Sequence, residues 1–253
     1  TSLYAIALAA LVSLSAAPVM ASASKVPLPS RDWSFNGMFG TFDRGSVQRG
    51  LQVYLEVCAG CHSLKLVAYR NLAGIGLGED QIKTIAAEFE VQDGPNDEGE
   101  MYARPAKPSD RFVSPFANDN AARASNNGAL PPDLSLMTKA RKDGADYLHA
   151  LLTGYKEEPP AGVNIAEGMS YNVYFPGNQI AMAPPVMDDA VEYADGTKAT
   201  IEQLATDVTS FLAWAAEPEL EERKRMGIKV LLFLIVLTAM LYALKRQIWA
   251  DLH

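Results

Sequence analysis

Cysteine is nearly absent from this chain: Cys58 and Cys61 are the only two in 253 residues. No thiol is left for a disulfide framework or for a nucleophile elsewhere. Histidine is almost as scarce, with only His62, His149 and His253. His149 and His253 do not fall at metal-finger spacing from the cysteines, which removes the zinc-site reading of the pair. Positive charge is also in short supply, 22 Lys and Arg against 30 Asp and Glu, a net charge of −8. Six of those cations and one anion lie from Arg223 onward, leaving 16 cations against 29 anions, a net −13, before it. A body this acidic repels nucleic acid and anionic lipid and attracts basic partners. Internal repeats are lacking, and strand patterns are weak.

What is there is Cys58-Ala59-Gly60-Cys61-His62, the Cys-x-x-Cys-His pattern of c-type haem attachment. Each cysteine can add across one haem vinyl group to form a thioether, and the adjacent histidine can bind the iron from one face. A redox dithiol would sit at the strand-to-helix junction of a βαβ unit, and no such pattern flanks this motif. The spacing predicts a first helix from about Ser46 to Cys58, with Val47, Leu51, Tyr54, Leu55 and Cys58 on one apolar face. Further helical patterns run from Asp80 to Glu90 and from Asp143 to Tyr155. The last soluble helix opens on the capping box Thr200-Ile201-Glu202-Gln203. Ile201, Leu204, Val208, Phe211, Leu212 and Ala215 form its expected buried face, and Pro218 helps to end it. Long stretches rich in Pro, Gly and Asn, Gly94 to Asp133 and Glu157 to Asp195, are unusual in a compact domain. A large flat apolar ligand can serve as their missing core. The expected fold is mainly α: a c-type cytochrome domain whose long loops wrap one covalent haem c, plus one C-terminal transmembrane helix.

Both ends carry targeting signals. Leu3 to Val19 is apolar and is followed by Ala21-Ser22-Ala23, a small-residue cleavage pattern, so residues 1–23 read as a cleaved export signal. Gly227 to Leu244 is apolar apart from Lys229, with Arg223-Lys224-Arg225 before it and Lys245-Arg246 after it. Tyr242 and Trp249 suit an interfacial belt. The expected organisation is an exported haem domain over 24–222 and an anchor with a short inner tail over 223–253. This places a single-pass protein in a bacterial inner membrane, with its haem domain in the periplasm.

The iron's second face is open to several residues. Thioether ligation there suits electron transfer, whereas an open site suits binding or catalysis. Of nine methionines, Met182 ranks first, because Ala181 and Ala183 are small and Pro184-Pro185 stiffens its backbone. Met187 and Met169 follow. His149 competes, although its apolar neighbours Leu148 and Ala150 favour a packed histidine.

Taken together, these residues resemble the cytochrome c1 family, the haem subunits of the ubiquinol–cytochrome c oxidoreductase (bc1) complex. The resemblance runs from about Trp33 to Trp249. It is carried by Arg49-Gly50-Leu51-Gln52-Val53-Tyr54, Val67-Ala68-Tyr69-Arg70, Val91-Gln92-Asp93-Gly94-Pro95-Asn96 and Asn126-Asn127-Gly128-Ala129-Leu130-Pro131-Pro132-Asp133-Leu134. Tyr174-Phe175-Pro176-Gly177, Met182-Ala183-Pro184-Pro185 and Trp214-Ala215-Ala216-Glu217-Pro218-Glu219 complete it. It implies thioethers at Cys58 and Cys61, axial ligands His62 and Met182, and Arg141 beside a haem propionate. Asn126, Pro131, Pro132 and Tyr147 match pocket-lining positions. Some bacterial members carry an extra disulfide, for which this chain has no cysteines. The implied partners are cytochrome b and Rieske iron–sulfur subunits in a dimeric complex, and a soluble basic cytochrome c that accepts the electron. The acidic run from Glu88 to Glu100 is a candidate docking surface or a solvated loop. A free-standing anchored cytochrome feeding an oxidase, and a haem enzyme with an open iron site, are the rival readings.

Overall fold

The structure is a computed structural model that describes residues 26–250. The expected leader over 1–23 and the last three residues lie outside it. Helix α1 (Arg44–Val53) starts where the Asp43 carboxylate accepts hydrogen bonds from the Gly45 and Ser46 backbone N–H groups. Those donors have no partner within a helix, so the cap satisfies them. The helix runs on into a wider π turn over Tyr54–Cys58. The expected helix therefore starts two residues earlier than Ser46, and its last turn is not α-helical. Val47, Leu51 and Tyr54 are buried as the spacing predicts, whereas Leu55 and Cys58 are only half-buried. A turn closed from i to i+5 holds an extra residue, which moves Cys58 off the buried face.

A 3-10 segment, Tyr69–Ile75, leads to α2 (Glu79–Ala87). The pattern from Asp80 to Glu90 predicts a longer helix, but Glu90–Asp93 forms strand β1 instead. Tertiary contacts explain the early stop. Phe89 stacks on Tyr69 with centroids 5.9 Å apart, and its carbonyl accepts from the Ala106 N–H at 2.8 Å. That contact draws the chain into an antiparallel pair with β2 (Tyr102–Pro105), Glu90 opposite Pro105. Helix α3 (Asp119–Ser125), the single turn α4 (Met137–Ala140) and α5 (Gly144–Thr153) follow. A minimal hairpin pairs β3 (Ser170–Tyr171) with β4 (Gln179–Ile180). Helices α6 (Ile201–Ala216) and α7 (Leu220–Trp249) close the chain. The architecture is mainly helical with little sheet, as expected.

The core forms where α1 crosses α6. Gly50 permits the crossing: a Cβ there would lie 2.0 Å from the Asp207 carbonyl oxygen and 2.7 Å from the Phe211 Cβ. Tyr54, Phe211 and Trp214 pack in series beside it with tilted rings. The fully buried Asp207 carboxylate accepts from Arg49 Nε at 2.9 Å, Ser46 Oγ at 2.7 Å and Gln203 Nε2 at 2.9 Å. Arg49 also reaches Asp195 at 2.8 Å, and these carboxylates hold its guanidinium more firmly protonated than usual. The capping box is thus only half formed. Thr200 Oγ1 accepts from the Gln203 N–H at 3.2 Å, but the Gln203 amide turns inward to Asp207. Ile201, expected inside, is 37% exposed because it sits at the helix start beyond the crossing.

Glu217-Pro218-Glu219 separates α6 from the 30-residue α7, which rises about 45 Å. None of its most apolar 18-residue window is buried, and its length and composition suffice to cross a membrane. Its root is tied to the domain. Glu221 accepts from the Phe42 N–H at 2.9 Å and pairs with Arg44 at 3.0 Å. Glu217 pairs with Lys139 at 2.8 Å and with Arg223.

Candidate functional site

Cys58, Cys61 and His62 sit on one tight turn, because the Cys61 and His62 N–H groups both bond the Cys58 carbonyl, at 3.1 and 2.9 Å. Cys58 is half-buried and Cys61 is exposed. Burial pushes the Cys58 thiol up to about 12, with the neighbouring Cys61 adding to the shift. Among the described residues, no group of three or more His, Cys, Asp or Glu is arranged to hold a bare metal ion. Two thiols and one imidazole on a single turn instead fit a ligand that brings its own donors to the metal.

The segment Pro132 to Ser135 lies along this turn and clamps it. His62 Nδ1 bonds the Pro132 carbonyl at 2.8 Å. Asp133 accepts from Ser63 Oγ and the Lys65 N–H, both at 2.8 Å, and from the Ser135 N–H at 2.9 Å. Leu134 N–H bonds the Ser63 carbonyl at 2.9 Å, and Ser135 Oγ accepts from the Leu66 N–H at 3.0 Å. Tyr54 reaches back to the His62 carbonyl at 3.1 Å. Burial by itself would raise the Asp133 acid, but the Lys65, Ser135 and Ser63 donors outweigh it and hold it below the usual carboxylate range.

The His62 geometry is compatible with a haem at this turn. A carbonyl only accepts, so Nδ1 must carry the proton and Nε2 keeps its lone pair. Burial pushes the imidazole pKa down, against the opposing pull of the Pro132 carbonyl and Asp133, which favours the neutral ring. Among the described residues, no protein group bonds Nε2. A neutral imidazole locked at one nitrogen and free at the other is the form that a metal ligand requires.

Met182 is half-buried, just past β4, and its carbonyl accepts from the Tyr155 hydroxyl at 3.0 Å. The fully buried Asn172 organises this region. It donates to the Leu151 carbonyl at 2.8 Å, accepts from the Tyr174 and Phe175 N–H groups, and forms a β-bridge with Tyr155. Of the other candidates, Met187 is 66% exposed, while Met169 is half-buried before the hairpin. His149 packs edge-on against Trp33, 6.0 Å between centroids, beside Glu202 on α6.

The remaining candidates fall into two groups. Cys61, Ala122, Leu130 and Pro131 line a cleft of about 130 Å³. Asn126 closes α3 at its edge, donating to the Ala122 carbonyl at 2.7 Å. Arg141 lies near Tyr147, which lies near the Tyr155 that bonds Met182. Burial raises the Tyr147 phenol while the Arg141 charge opposes it, and Tyr147 in turn helps to raise Tyr155 after burial. Arg141 is exposed and, among the described residues, has no carboxylate partner, which suits a propionate contact. Asp133, Ser135, Tyr155 and Asn172 escape sequence reasoning as site residues. A polar pair following Pro131-Pro132 is the available signal for the clamp. Nothing local marks Asn172.

In the acidic run, Asp93 is engaged by Arg104, which also holds Asp110 at 2.6 Å. Glu88, Glu90, Asp97, Glu98 and Glu100 remain exposed.

A family model described as the Cytochrome C1 family matches residues 33–252. Cytochrome c1 of Rhodospirillum rubrum is 52% identical over 241 residues, spanning 89% of either chain. The Saccharomyces cerevisiae protein named "Cytochrome c1, heme protein, mitochondrial" is 50% identical over 240 residues, 95% of this chain and 78% of its own. A Bradyrhizobium diazoefficiens protein named "Cytochrome b/c1" is 48% identical over 246 residues, 89% of this chain and 36% of its own.

Proposed function

The chain belongs to the cytochrome c1 family, and we propose on that premise that it is the electron-transfer subunit of a bc1 complex. It takes electrons from a Rieske iron–sulfur protein and passes them to a soluble basic c-type cytochrome. The observation that carries the reading is His62, held through Nδ1 by the Pro132 carbonyl with Nε2 free. When bound, the haem supplies a one-electron iron couple.

The chain's own residues hold and isolate that group. Cys58 and Cys61 would hold the haem through thioethers, and His62 and Met182 would bind its iron. The Asp133 clamp keeps the His62 turn in register. Tyr155 holds the Met182 backbone. Arg141 would pair with a propionate, and Asn126, Pro131, Pro132 and Tyr147 would line the pocket. This chain makes and breaks no substrate bond. The complex is the oxidoreductase, and it is dimeric.

Residues 1–23 act as a cleaved export signal, 24–222 form the periplasmic domain, and α7 anchors it in a bacterial inner membrane with its tail in the cytoplasm. Cytochrome b is the partner that the name "Cytochrome b/c1" of the Bradyrhizobium relative supports. Extraction in mild detergent tests the whole reading. Cytochrome b and a Rieske protein should co-purify, with c-type haem remaining on this polypeptide after denaturation. Isolation without them would favour a free-standing cytochrome.

A further inference from the structure

The loop Phe35 to Gly40 is built tightly and presents two large apolar side chains to the outside. Met38 is 59% exposed and Phe39 is 79% exposed. The loop is pinched at its neck. Thr41 N–H bonds the Ser34 carbonyl at 3.0 Å, and a Cβ on Gly40 would lie 1.9 Å from the Asn36 carbonyl oxygen. Its root is aromatic, with Phe35 stacked 5.6 Å from Trp33 and tilted against Phe42 at 5.1 Å. The exposed tip thus projects from a closed neck with an aromatic root.

The loop is fastened to the anchor. Lys224, in the second turn of α7, donates through Nζ to the Phe35 carbonyl at 2.7 Å and the Gly40 carbonyl at 3.0 Å. Both sides of the neck thus grip one helix residue. Lys224 lies three residues before Gly227, where the apolar run of α7 begins, a rise of about 4.5 Å. The interfacial layer on each side of a bilayer is roughly 5–7 Å deep. With α7 spanning the bilayer, the neck would lie level with the headgroups. Two cations near it are already paired, Arg44 with Glu221 and Lys139 with Glu217.

We propose that Met38 and Phe39 form a second membrane contact, dipping into the bilayer interface beside α7 and setting the tilt of the haem domain. The occupant of this surface is lipid, because the loop is continuous with the root of the one described helix that can span a membrane. The proposal rests on the reading of α7 as an anchor.

Site-directed spin labelling of the haem-loaded full chain tests it, in vesicles of phosphatidylcholine and phosphatidylglycerol and again in the intact complex. With Cys58 and Cys61 in thioethers, each introduced cysteine is the single reactive thiol. A label at Phe39→Cys should be several-fold more accessible to oxygen, relative to a water-soluble nickel chelate, than one at the exposed Met101→Cys. Met38→Cys should behave like Phe39→Cys, which guards against a local folding defect. A label at Leu234→Cys reports the anchor itself. If that label meets the chelate freely, the anchor reading falls and this proposal with it. If Leu234→Cys is buried in lipid but positions 38 and 39 are as chelate-accessible as 101, only the loop proposal is overturned. Shielding at 38 and 39 in the complex but not in vesicles would make the occupant a protein and would also overturn it.

Discussion

The phenol of Tyr155 donates to the carbonyl of Met182 at 3.0 Å, across 27 residues of chain. The contact fixes backbone, not sulfur, so Tyr155 acts on the proposed ligand by holding its loop. Met182→Leu should abolish the sulfur–iron charge-transfer band of the oxidised protein, lower its potential and admit carbon monoxide. Tyr155→Phe should keep the band but loosen the loop. One neutral hydrogen bond is worth about 1 kcal/mol, so imidazole should displace the ligand roughly five-fold more readily. Unchanged imidazole affinity in Tyr155→Phe would show that the loop is held by other contacts.

Asp133 should govern acid stability of the His62 turn. Its folded pKa is depressed, so its contribution is complete above the unfolded value of about 3.9 and is lost as pH falls through the lower folded value. Asp133→Asn should cost about 2–4 kcal/mol at neutral pH by weakening three hydrogen bonds. Urea titrations at a series of pH values should show the gap to the parent narrowing below about pH 4.

Two glycines in one helix should respond in opposite directions. Gly50→Ala drives a methyl into the Asp207 backbone and should prevent a well-folded haem protein or cost more than about 3 kcal/mol. Gly45→Ala meets Asp43 Oδ1 at 3.4 Å and Arg49 Nη1 at 3.6 Å, ordinary contacts. It should stabilise by about 0.5–1 kcal/mol through helix propensity. Thermal melts of both variants decide the matter.

Arg49→Met should leave the buried Asp207 carboxylate with only Ser46 and Gln203 as side-chain donors. Removing one partner of a buried pair costs about 3–5 kcal/mol. The midpoint of urea unfolding should fall accordingly, whereas Arg44→Met, at a more exposed pair, should cost under about 1 kcal/mol.

Electron transfer to a basic acceptor should slow as ionic strength rises above about 0.1 M, where the Debye length is roughly 10 Å. Stopped-flow rates across a salt series test this. Neutralising the exposed Glu88, Asp97 and Glu98 together should flatten the dependence, whereas Asp93→Asn should change it little because Arg104 already engages that charge. A rate independent of salt would remove the steering role of the acidic body.

Legibility in the sequence follows the range of the interactions. The helix bearing the motif is visible as a run of Val47, Leu51 and Tyr54, and the last soluble helix as a cap at Thr200 followed by an apolar face. Their ends are less visible. Gln203 satisfies a capping pattern but bonds Asp207, because a buried carboxylate competes more strongly for its amide than a helix terminus near solvent does. Phe89 fits a helical repeat but ends α2 by stacking on Tyr69.

Covalent and compositional features were determined by the sequence alone: two thiols and a histidine at one spacing, an apolar run between basic flanks, and an acidic body. Each is local and holds whatever the chain's path. Only the tertiary structure decided how those features are held. Pro132 meets His62 across 70 residues, Tyr155 meets Met182, and Lys224 grips a loop 184 residues upstream at Gly40. These bonds join groups that local periodicity cannot pair, because their partners are chosen by packing α1 against α6 and by burying polar atoms that must then be satisfied.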